Sequence, residues 1–184
     1  LEHRPAAAGQ RVVVMALKPR LVRDAAAAFR RYMELEGAPE LAARYAREGL
    51  LPTTDSIVRR YAKYAKTIVE VGAGGARAFS RTAGHPLEFI PQSDPATLRA
   101  GDTLVVQLRY RSAPLGGAMI AAGAAGERGP EARHPTDAKG IASVVMPHAG
   151  LWNVRTIHIV PSDRESGADW DVHWSTLVVS VSPR

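Results

Sequence analysis

Beyond Pro86 the chain adopts a period of two, and this change limits its folding more than any other feature. Thr103 to Arg111 alternates cleanly, with Leu104, Val106, Leu108 and Tyr110 on one face and Thr103, Gln107, Arg109 and Arg111 on the other. Leu87 and Phe89 begin an earlier strand of this kind. Later ones carry Ala118, Ile120 and Ala122, then Ala142, Val144 and Met146, then Trp152 to Ile159, then Leu177, Val179 and Val181. Turn signals separate them: Asp94-Pro95, Ala100 to Asp102, Pro114 to Gly117, Asp137 to Gly140, His148 to Gly150 and Ser162 to Gly167. Six or seven short strands at this cadence predict a Greek-key β-sandwich over residues 86–184. Its core should include Leu104, Val106, Leu108, Tyr110, Val144, Trp152, Leu177 and Val179, with no helix between Thr103 and Met146.

The first 72 residues follow a different pattern. Gln10 to Leu17 is a β-branched run that Pro19 stops, since proline cannot donate to a ladder. From Asp24, a good N-cap, Ala25, Ala28, Phe29, Tyr32 and Met33 recur at helical spacing until Gly37. Pro39 opens a second helix, with Leu41, Ala42, Tyr45 and Ala46 on one face and Gly49 closing it. Thr53 or Thr54 caps a predicted third, with Ile57, Val58, Tyr61, Tyr64 and Ala65 apolar and Arg59, Arg60, Lys63 and Lys66 elsewhere. It runs into a strand over Thr67 to Val71. Helices are expected only before Gly72. Val71 to Arg77 resembles a phosphate loop but lacks G-x-x-x-x-G-K-[ST], and Gly84 and Pro86 follow where a helix should start, so residues 73–85 read as a linker.

The 184 residues carry a formal net charge of +6, which permits a polyanion partner only where the charge clusters. Arginine is instead scattered along the chain. The basic side of the third predicted helix reads as a solvated face, so no nucleic-acid partner is expected. There is no cysteine, which excludes disulfides, thiolate nucleophiles and thiolate metal sites. No segment approaches the roughly 18 apolar residues of a spanning helix, so none of this chain should cross a membrane as a helix. No nucleophile elbow, H-E-x-x-H pair or tight carboxylate couple appears, and the chain is expected not to be an enzyme.

Six segments occur in a distinctive order: R-Y-A-K-Y-A-K-T-I-V-E-V-G (60–72), P-L-E-F-I-P (86–91), L-R-A-G-D-T-L (98–104), T-D-A-K-G (136–140), G-L-W-N-V (150–154), and H-I-V followed by A-D-W-D-V-H-W-S-T-L (158–177). Together they resemble a bacterial family of unknown function labelled nickel-uptake-like or NikM-like (domain of unknown function 4198). The resemblance implies an extracytoplasmic protein, periplasmic or secreted, with two immunoglobulin-like or prealbumin-like β modules, the first carrying a helical excursion. On that basis residues 1–72 are expected to be the last part of a first module. Its usual leader and N-terminal histidine segment are not found before Leu1. The resemblance also implies a non-catalytic binding or assembly module accessory to nickel or cobalt uptake, whose partners would be membrane transport components or copies of itself. The alternative is a structural building block of a surface layer or filament.

The expected metal site lies near the C-terminus. Imidazoles suit nickel, cobalt, copper and zinc, with carboxylates completing the charge. His158 on one strand and His173 at the start of the next would converge with Asp169 or Asp171 if those strands are neighbours. The loop between them, with Asp163, Glu165, Asp169 and Asp171, offers oxygen ligands to calcium, which ranks second. Against this, His158 shares a face with Trp152 and Val154, as a neutral core histidine would. Trp170 and Trp174 are candidate ligand-binding aromatics, with packing of the sandwich end as the competing role. His85, His134 and His148 lie in loops and rank lower.

Overall fold

The computed structural model describes residues 7–36, 39–126, 131–163 and 167–184. The chain is mainly β and forms a sandwich, as the period-two pattern predicts. The strands in chain order are β1 (Gly9–Ala16), β2 (Arg20–Ala25), β3 (Ser56–Val71), β4 (Leu87–Pro91), β5 (Thr103–Tyr110), β6 (Ala113–Pro114), β7 (Met119–Ala124), β8 (Ala132–Pro135), β9 (Ile141–Val145), β10 (Gly150–Pro161) and β11 (Trp170–Val181). Two helices, α1 (Ala26–Leu35) and α2 (Pro39–Arg47), fall between β2 and β3. One 3-10 turn at Pro95–Thr97 lies beyond Gly72, capped by the Asp94 side chain, which accepts from the Ala96 amide. No helix interrupts the described residues between Thr103 and Met146.

The larger sheet has the order β1-β3-β11-β10-β7-β8, with β2 also on β3. β1 and β2 lie end to end along one edge of β3, and β11 runs parallel to its other edge. The smaller sheet places β4 on one edge of β5 and β6 and β9 on the other. Leu87, Phe89, Leu104, Val106, Leu108 and Val144 from the small sheet meet Tyr64, Ile120, Trp152, Val154, Leu177 and Val179 from the large one in a single buried cluster. The helices cover the other face of the large sheet. Phe29, Met33 and Tyr45 pack there on Ile57, Ile157, Ile159, Trp170 and Val172, giving three layers in all.

The third predicted helix is corrected. Residues 56–71 are strand β3, held by ladders on both edges. Its even positions face the sandwich core and its odd positions face the helices, so neither face is uniformly polar and the period of two is masked. The basic residues are also not a solvated face. Arg59 pairs with Asp24 at 2.5 Å, Arg60 with Asp171, and Lys66 is buried against Glu88. Asp24 therefore does not cap α1, whose N-cap is Ala25 without a side-chain bond. The large sheet crosses the expected boundary at residues 73–85, because β3 from the first part pairs with β11 from the second. Within that stretch Gly75 lies so close to the backbone of Ala8 that an added Cβ would come within 2.4 Å of its carbonyl oxygen, a packing only glycine permits.

Candidate functional site

Two core-facing positions on β10 and β11 bring the predicted histidines together. His158 and His173 are register partners in the antiparallel ladder, so their side chains leave the same face side by side. Tyr110 lies against both rings, edge-on to His158 with centroids 4.5 Å apart and tilted to His173 at 5.3 Å. Burial lowers the His158 pKa to about 4, helped by the charges of His173, Arg44 and Arg111. Burial also lowers His173, with Asp171 opposing it. Both imidazoles are thus neutral and hold a lone pair near neutral pH.

His173 is only 7% exposed, and its Nε2 has no hydrogen-bond partner; neither does the Tyr110 hydroxyl. Its Nδ1 lies 3.3 Å from the Tyr64 hydroxyl. That hydroxyl rotates to donate or accept, so Nε2 presents either an N–H or a lone pair.

The predicted carboxylates are held elsewhere. Asp171 shares the face of His173 but takes a bidentate fork from Arg60, at 2.7 Å from Nε and 2.9 Å from an Nη. Asp169 accepts from the Val58 amide at 2.6 Å, and Glu165 lies outside the described residues. Among the described residues no three His, Cys, Asp or Glu side chains are grouped to hold a metal ion. Trp170 and Trp174 are strand residues on the opposite, helix-covered face. Trp170 packs against Phe29 and Tyr45 with centroids 5.4 and 5.2 Å away, and the Trp174 indole donates to the Tyr32 hydroxyl at 2.8 Å.

Sequence reasoning ranked His85 too low. A cleft of about 360 Å³ opens at this end of the sandwich, lined by Arg60, Tyr64, His85, Arg111, Ser112 and His173 among others. The rings of Tyr64 and His85 stack at 5.1 Å, and burial lowers the His85 pKa against the pull of Glu88. The loop carrying His85 is pinned from below. Glu88 accepts from the Ala83 and Gly84 amides at 2.6 and 3.0 Å and pairs with Lys66 Nζ, which also donates to the Arg81 and Phe89 carbonyls at 2.9 and 3.1 Å. The lysine preceding a T-I-V-E run gives no sign of such burial. Arg111 and Ser112, which also line the cleft, form a two-residue turn between β5 and β6 with φ of 49° and 69°. Left-handed backbone costs a non-glycine residue about 1–2 kcal/mol, and such turns ordinarily use Asn-Gly. His134 on β8 buries an unpartnered Nε2, and His148 sits exposed beside the Ala149 carbonyl, both away from this cleft.

A family described as a domain of unknown function (DUF4198) matches residues 7–160. The chain belongs to that family. The match takes in β1 to β9 and most of β10, including His85, Arg111 and His158, and stops short of His173. No curated protein and no solved structure matched.

Proposed function

We propose that this member of the family is a non-catalytic extracytoplasmic binding module that takes a divalent first-row metal at His158 and His173, as an accessory to nickel or cobalt uptake beside membrane transport components. The supporting observation is the pair of adjacent neutral imidazoles, one with a buried Nε2 that lacks a partner. With Nδ1 of His173 donating to the Tyr64 oxygen, Nε2 becomes the metal-facing lone pair and the ring is held in place, as second-shell bonds to metal-bound histidines do. The donor set fits nickel, cobalt, copper or zinc rather than calcium, because the nearest carboxylate is committed to Arg60. Two protein donors leave the other coordination positions to water or to a ligand carried with the metal. In calorimetry with nickel or zinc, the His158→Ala plus His173→Ala double variant should lose binding at least about tenfold against wild type. Equal affinity would remove the proposal.

One observation favours the structural reading as well. β1 is an edge strand, and Val13, Val14, Met15 and Leu17 along that edge are exposed. A free ladder edge with apolar side chains pairs readily with another copy, and an ordered polymer without metal in sedimentation would favour this second role.

A further inference from the structure

The end cleft has a charge that the imidazole pair does not use. Arg60 and Arg111 both line it, but only Arg60 has a carboxylate partner. Among the described residues no Asp or Glu pairs with Arg111, whose guanidinium lies 5.2 Å over the Tyr110 ring. Two guanidiniums against one carboxylate leave the cleft net positive. We propose that this cleft binds a small organic carboxylate, with its carboxyl group on the Arg111 guanidinium and its carbon skeleton against the half-buried His85 ring that stacks on Tyr64.

A guanidinium presents a planar fork that matches a carboxylate with two parallel hydrogen bonds. The His85 ring gives an apolar contact that a bare inorganic anion cannot use. The Arg111-Ser112 turn keeps both residues left-handed where glycine would relieve the strain, and it holds the guanidinium and a hydroxyl at the cleft mouth. His173 also lines the cleft, and its Nε2, which has no partner, is an N–H once its Nδ1 accepts from Tyr64. The inference rests on the cleft and does not require a metal on the imidazoles, so its test runs in chelator.

The probes are citrate and inorganic phosphate, titrated calorimetrically into metal-free protein. Citrate should bind wild type, phosphate should bind more weakly, and Arg111→Gly should lose at least about tenfold in citrate affinity. The glycine variant should melt no lower than wild type, because glycine takes the positive φ without strain. Should it melt lower, Arg111→Lys replaces it, since lysine keeps the charge without the fork, and it too should bind citrate more weakly. No citrate binding to wild type, citrate affinity unchanged in the variant used, or phosphate bound as tightly as citrate would each overturn the carboxylate assignment.

Discussion

Single residues at the end of the sandwich carry charges whose cost depends on pH. His158 ionises at about 4 in the folded chain, below the ordinary 6.5 of an unfolded histidine. Above about pH 7.5 neither state holds an appreciable proton, so the group contributes no pH dependence there. As pH falls from about 6.5 toward 4, the unfolded chain takes up its proton first and stability drops, by up to about 3 kcal/mol for this residue. Denaturant titrations of metal-free protein at pH 7 and pH 4.5 should show that loss, and His158→Gln should flatten the difference. A profile unchanged by the substitution would mean the ring is already solvated. Lys66 shows the same economy: its charge is tolerated in the core because Glu88 and two carbonyls surround it.

At the level of elements, the α1–α2 pair is fixed to the sheet mainly through Phe29, Met33 and Tyr45, whose hydroxyl also donates to the Ile159 carbonyl at 2.6 Å. Phe29→Ala should cost about 3–5 kcal/mol and bring water to Trp170, seen as a red shift of tryptophan emission. Strands with one wet face, such as β5, were readable from alternation alone, and the first two helices from their apolar stripe and the proline at the start of α2. β3 was not, because it is covered on both faces and its Arg, Ala and Lys residues favour a helix locally while long-range ladders on both edges decide the outcome. The site was legible to the same depth. Alternation put His158 on the core side and strand adjacency brought His173 to it. The commitment of Asp171 is not legible, because nothing in the spacing shows that Arg60 stands beside it on the neighbouring strand. His85 and the Arg111-Ser112 turn depend on tertiary placement that a loop sequence does not encode.

For the whole molecule, the strand order of the large sheet runs from β1 to β8. The β1 edge is bare apolar strand between Arg11 and Lys18, without the inward charges that usually discourage pairing. Val14→Lys should therefore shift any self-association seen in sedimentation toward the monomer while leaving metal and citrate binding intact; an oligomer indifferent to the change would place its contacts elsewhere. The parallel seam between β3 and β11 has a consequence for synthesis. β11 follows the other described strands in the sequence, yet in the sheet it stands between β3 and β10. During translation both neighbours expose a vacant edge until residues 170–181 clear the ribosome, and His173 arrives with them. A chain stalled before residue 170 would hold half of its imidazole pair, but its large sheet would be split in two and open to capture by other nascent strands.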